Sequence, residues 1–208
     1  MNQIKNLNSL NSASYFNKNT LQQVVSISDN ALYSNIKRWI KQNIIIQLKR
    51  GIYVTNDYYI RLPEKQAYQE FIANKLKSPS YLSLEYVLQK YSLLTEGVYA
   101  FTSITLKKTN TYKNKLGLFT YSNISQDLFT GYKIVNKEGF QIKEASKAKA
   151  LFDFLYLRLL SVKNINQQLI DSFRFNLDEF SQKDQKEFKS YVKLSKTKKL
   201  EKVSLWLA

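Results

Sequence analysis

Hydrophobic positions change their spacing several times along the first sixty residues, and each change marks an element. Ile4, Leu7 and Leu10 recur every third residue, which predicts a short helix over about residues 4–12. Thr20 is a predicted N-cap for residues 21–25, where Leu21, Val24 and Val25 form an inner face. After the polar turn at 26–28, Ser28 is a predicted N-cap for a helix over about 29–42, with Asp29 suited to the positive helix end. That helix is two-sided: Leu32, Ile36, Trp39 and Ile40 share one arc, while Asn30, Ser34, Lys37 and Lys41 share the opposite one. Two β-prone runs follow, 44–48 and 52–55, joined by Lys49-Arg50-Gly51, with glycine supplying the turn of a hairpin.

An ordinary surface helix would show the same polar stripe. The order of elements changes that reading, because helix, turn, longer amphipathic helix and tight basic hairpin is the order of a winged helix-turn-helix. In such folds the second helix of the motif enters the major groove and contacts bases, while flanking elements hold the backbone. Asn30 and Ser34 are short enough to approach base edges, whereas Lys37, Arg38, Lys49 and Arg50 can neutralise phosphates. Tyr33 lies between the two faces and Lys41 completes the polar arc.

The polar stretch 56–62 and Pro63 predict a linker, giving a DNA-binding domain over 1–57 and a second domain over 63–208. Pro63 and Glu64 open a helix to about residue 76, with Ala67, Phe71, Ile72 and Leu76 as its apolar stripe. Pro79 and Ser80 end it, and Ser83 is placed to cap a short helix over 84–91. Strands are predicted over 98–105, 116–122, 131–136 and 140–143, the last two joined at 137–139. Residues 147–160 are apolar nearly all round, which predicts a buried helix. Its one acid, Asp153, has Lys149 a turn earlier as a candidate structural partner. From about residue 165 the chain is predicted helical and increasingly basic. The fold class is therefore α+β, an N-terminal winged helix-turn-helix followed by a mixed α/β domain.

Charge adds a partner to this outline. The 208 residues carry 32 Lys and Arg against 16 acids, a formal charge of +16, which points to polyanions. Heavy use of Asn, Lys, Ile and Tyr is also what an AT-rich coding sequence yields, so the excess alone does not decide. Residues 1–60 hold seven basic side chains and two acids, so most of the excess lies beyond them. Part of it sits in Lys107, Lys108, Lys113 and Lys115, expected on a loop, and part in the eight lysines between 183 and 202; a solvated face and a second polyanion contact are equally open for both. Cysteine and histidine are absent, which excludes disulfides, Cys- or His-built zinc sites and His-dependent triads. No Gly-rich phosphate loop is present among the five glycines. The chain is expected not to be an enzyme, to hold no metal and to need no cofactor. Without a signal-peptide core or a span of ~20 apolar residues, it is expected to be cytoplasmic, with no membrane partner.

Several segments in order resemble one family. The wing LKRGIYV (48–54), then YLSLEYVLQKYSLL (81–94), VYAFTSIT (98–105), GLFTYSNI (117–124), FTGYKI (129–134) and ASKAKALFDFLYL (145–157) are similar to the AbiEi antitoxins of bacterial abortive-infection toxin–antitoxin systems. The resemblance covers about residues 14–160. Tyr86 and Val87 replace a small pair usual in the family, and Lys147 and Ala148 stand where Pro-Glu commonly opens the buried helix. The resemblance implies two jobs for a type IV antitoxin. The winged helix would bind inverted repeats in the double-stranded DNA of its own promoter and repress the operon. The C-terminal antitoxin domain would counteract a cognate nucleotidyltransferase toxin, a functional partner with which no stable complex is expected. A free-standing winged-helix regulator with a ligand-sensing or dimerisation domain is the alternative.

Overall fold

The structure, a computed structural model, describes residues 3–206, with side chains from Lys5 onward. The Ile4 side chain expected in the first helix lies outside the described residues. The chain divides into two compact units: the smaller runs to Tyr68 and also takes in Tyr112–Gly117, and the larger holds Gln69–Thr111 and the chain from Leu118 onward. Both units mix helix and sheet.

In the smaller unit, α1 (Gln3–Leu7) and a 3-10 turn at Asn8–Leu10 lead to β1 (Phe16–Asn17), α2 (Lys18–Val25) and α3 (Asp29–Lys41). α2 begins earlier than expected, because the Asn17 side-chain amide oxygen accepts from the Thr20 backbone N–H at 2.9 Å. Asn is at least as strong an N-cap as Thr, and the earlier start places Lys18 on the helix. α3 closes with a Schellman motif. Asn43 adopts φ +55°, its N–H donates to the Ile40 carbonyl at 3.0 Å, and the Ile44 N–H donates to that of Trp39 at 2.8 Å. The chain then enters β2 (Ile45–Lys49) and β3 (Ile52–Thr55), turning at Gly51, whose φ of +82° suits a residue without Cβ. The three strands form an antiparallel sheet in the order β1-β3-β2. Leu10, Leu21, Leu32, Ile36, Trp39 and Ile45 pack together as the core beneath it. The stretch expected as a linker is instead helical, α4 (Asn56–Arg61), with the Thr55 hydroxyl accepting from the Tyr58 N–H at 3.2 Å.

α5 (Lys65–Leu76) carries the chain onward to β4 (Ser80–Leu82), α6 (Leu84–Lys90), β5 (Ala100–Thr105), β6 (Asn110–Asn114) and β7 (Gly117–Asn123). The hairpin β8 (Tyr132–Lys137) and β9 (Phe140–Ala145) follows, then α7 (Lys147–Leu159), α8 (Gln167–Asp171), α9 (Gln182–Ser195) and α10 (Lys198–Trp206). Besides β1, two strands were not expected. β4 is three residues long, too short for an alternation to register, and β6 is polar throughout. The six strands form one mixed sheet in the order β6-β7-β5-β4-β9-β8. Tyr81 pairs with Ile104, so both point to one face, and Tyr81 there meets Asp153 of α7. Tyr121 pairs with Ser103 on the other face, where its hydroxyl donates to the Ala73 carbonyl of α5 at 2.6 Å. The larger unit is thus a sheet with helices on both sides, and α9 packs on α7.

Candidate nucleic-acid interface

Leu32, Ile36 and Trp39 are buried, which fixes the rotation of α3 and turns the remaining positions outward. Asn30, Tyr33, Ser34, Lys37, Arg38 and Lys41 are all exposed on it. Arg50 is exposed at the hairpin turn, and Lys49 beside it is half-buried with its ammonium 5.8 Å from the centre of the Tyr112 ring. The eight residues expected to meet DNA are therefore all in the smaller unit, six on one helix and two at one turn.

Within the smaller unit Lys18 pairs with Asp29 at 3.1 Å, and Arg61 pairs with Asp57. Lys37, Arg38, Lys41 and Arg50 make no ion pair among the described residues. Lys18 was not singled out by sequence, yet it organises the start of α3. Its ammonium donates to the Tyr33 hydroxyl at 3.2 Å and to Asp29, and lies 4.4 Å from the Tyr33 ring centre. The hydrogen bond to Tyr33, then the one to Asp29, holds the Lys18 ammonium above its ordinary pKa. Tyr33 is thereby oriented at the edge of the exposed face, and the one acid of the helix is occupied. The missed signal is the N-cap at Asn17, which puts Lys18 in the first turn of α2.

The two lysine clusters resolve differently. Lys113 and Lys115 fall in the smaller unit, whereas Lys107 and Lys108 belong to the larger one, all four exposed. On α9, Lys183, Lys186, Lys189 and Lys193 are exposed, while the acids turn inward: Asp184 forms a capping box with Ser181, and Glu187 accepts from Ser146 and Tyr191 at 2.6 and 2.7 Å.

Two ionic clusters in the larger unit are built on buried carboxylates. Asp153 accepts from Lys149 at 2.6 Å, Ser83 at 2.7 Å and Tyr81 at 3.0 Å, and Lys149 also donates to the Leu128 carbonyl at 2.8 Å. Burial pushes the Asp153 carboxyl above its usual range and the Lys149 ammonium below its own. Glu70 and Glu144, both buried, are bridged by Lys90 and Lys137, with Tyr86 donating to Glu70 at 2.7 Å and Tyr91 to Glu144 at 3.2 Å. Burial alone would raise Glu70, but the hydrogen bonds from Lys137 and Tyr86 and the two ammonium charges outweigh it and hold its pKa down. Every carboxylate oxygen here is already occupied by a side chain of the protein. Among the described residues no group of three acids stands together as metal ligands, and no helix is long and apolar enough to cross a membrane.

An open groove of about 520 Å³ lies where α7 leaves the sheet uncovered. Its floor is Thr102, Leu118, Thr120 and Ser122, and its walls include Phe154 and Arg158. Compared with known proteins, the chain matches no family model and no curated protein sequence.

Proposed function

We propose that the smaller unit is a winged helix-turn-helix and that the chain is a DNA-binding antitoxin of the AbiEi kind, which represses its own operon. The exposed face of α3 carries this reading. It joins short polar side chains, Asn30 and Ser34, to three cations without an internal acid, and the adjacent hairpin presents Arg50. Unpaired cations on a rigid helix are arranged for phosphates, because nothing must be broken before they bind. The Lys18–Asp29 pair supports the same reading, since it removes the acid that would repel a phosphate at the start of the helix.

The antitoxin half of the proposal rests on the ordered resemblance of residues 14–160. The larger unit would counteract a nucleotidyltransferase toxin without forming a stable complex with it. Co-expression of the chain with a nucleotidyltransferase encoded beside it tests this directly. Restored growth supports the reading, and persistent toxicity at matched expression rules it out.

The groove favours a second reading, a winged-helix regulator whose larger unit senses a ligand. Its volume falls within the range of ~300–1,000 Å³ usual for small-molecule sites. Its floor combines apolar and hydroxyl side chains. Absence of a toxin gene beside the coding sequence, together with DNA binding that responds to small molecules, would favour this reading over the first.

A further inference from the structure

The smaller unit contains a segment that its sequence position does not suggest. Tyr112–Gly117 comes from an expected loop of the second domain and the first two residues of the strand predicted after it, yet it packs with the first sixty-eight residues. Three of its side chains are tied there. The Asn114 amide donates to the Leu48 carbonyl at 2.7 Å, while its carbonyl oxygen accepts from the Leu116 N–H at 2.7 Å, so both ends of the amide are fixed. Lys115 donates to the side-chain oxygens of Asn43 and Asn56 at 3.2 and 3.1 Å. Tyr112 lies under the Lys49 ammonium.

These ties leave β2 no longer a bare edge. In the order β1-β3-β2 it is an outer strand, and the segment runs beside it from Lys49 at Tyr112 to Leu48 at Asn114. Lys113 sits between two tethered neighbours, each one Cα step of ~3.8 Å away. Its own side chain is exposed and makes no ion pair or hydrogen bond among the described residues. Lys115 spends its charge on two amide oxygens; Lys113 does not. Beside it, Lys49 and Arg50 lie at the hairpin turn, and no acid pairs with Arg50 among the described residues.

We propose that Tyr112–Gly117 is a second, sequence-distant part of the DNA-contacting edge, in which Lys113 contacts a backbone phosphate of duplex DNA and Asn114 positions it. The inference rests on the winged-helix reading of the smaller unit. A helix-and-hairpin module grips the backbone with few residues, so one added, pre-positioned cation changes its affinity measurably. Each phosphate contact on B-DNA contributes about 0.9 to the slope of log affinity against log salt.

The test is fluorescence anisotropy of the full chain on a short mixed-sequence DNA duplex, titrated at several salt concentrations. Lys37→Ala and Lys113→Ala are each expected to lower the slope by about one, with affinity about five- to tenfold weaker near 0.1 M salt. Asn114→Ala removes no charge and is expected to lower the slope as well, while circular dichroism reports an intact fold. Lys163→Ala removes one exposed charge from the larger unit and is expected to leave the slope unchanged. A shallower slope for Lys37→Ala with an unchanged one for Lys113→Ala overturns the inference and leaves the winged helix standing. Unchanged slopes for both overturn the winged-helix reading itself. An equal loss for Lys163→Ala also overturns the inference, since net charge and not placement would then set affinity.

Discussion

The Lys149 ammonium lies 2.6 Å from the Asp153 carboxylate one helical turn away, and neither side chain reaches solvent. Two charges removed from water this completely are tolerable only when every remaining lone pair and proton finds a partner. Here Ser83 and Tyr81 donate to the carboxylate and the Leu128 carbonyl accepts from the ammonium, tying β4, α6 and α7 of the larger unit through one ion pair.

Asp153→Ala leaves Lys149 buried without its counter-charge, and the expected loss of stability is about 3–5 kcal/mol. Ser83→Ala removes one of three hydrogen bonds to the carboxylate and is expected to cost about 1–3 kcal/mol. Urea denaturation of the full chain measures both. A cost for Asp153→Ala no larger than that for Ser83→Ala would contradict a paired, desolvated core.

Gly131 stands against the same cluster with φ +75°, and a Cβ there would lie 2.7 Å from Cζ of Tyr191 and 2.9 Å from Cγ of Lys149. Gly131→Ala therefore meets both an unfavourable backbone and packed atoms, and is expected to destabilise by about 1–3 kcal/mol. Gly139 has a similar φ of +78° with nothing near its Cβ position, so Gly139→Ala isolates the backbone part. Thermal melts should place Gly131→Ala clearly below Gly139→Ala. Equal melting temperatures would show that Tyr191 and Lys149 yield freely.

Glu70 supplies a pH dependence with a definite sign. Its folded pKa is depressed, so its contribution is complete above the unfolded value of about 4.3 and is lost as pH falls through the folded one. The melting temperatures of the native chain and Glu70→Gln should differ most at neutral pH. The gap should close as the solution is acidified below about pH 4. A gap that stays constant down to acid would mean that Glu70 does not carry this charge in the fold.

Much of the smaller unit was legible because its elements are local. The burial of Leu32, Ile36 and Trp39 follows from their spacing alone, and Gly51 marks the hairpin turn by its chemistry. The same local rules found the Lys149–Asp153 pair, since four residues on a helix bring side chains together. What they could not reach was set by distant partners. The α4 helix hides in a polar stretch because its cap, Thr55, also ends a strand. β6 has no apolar alternation, and the tie from Asn114 to Leu48 joins residues 66 positions apart. Glu70 and Glu144 likewise become neighbours only through the sheet and α5. The eight residues expected to meet DNA needed no such contacts, which is why a sequence could nominate them, whereas Lys113 stood out only as one of a run of lysines, its place beside the hairpin being set by the tie from Asn114 to Leu48.

The central claim is that α3 and the hairpin beside it read DNA. Its most direct measurement is the affinity of the full chain for a duplex taken from immediately upstream of its own coding sequence, compared with an unrelated duplex at the same salt. The account predicts tighter binding to the upstream duplex, with the preference reduced by Asn30→Ala and overall affinity reduced by Lys37→Ala with Arg50→Ala. Equal binding to both duplexes that none of these substitutions changes would contradict it.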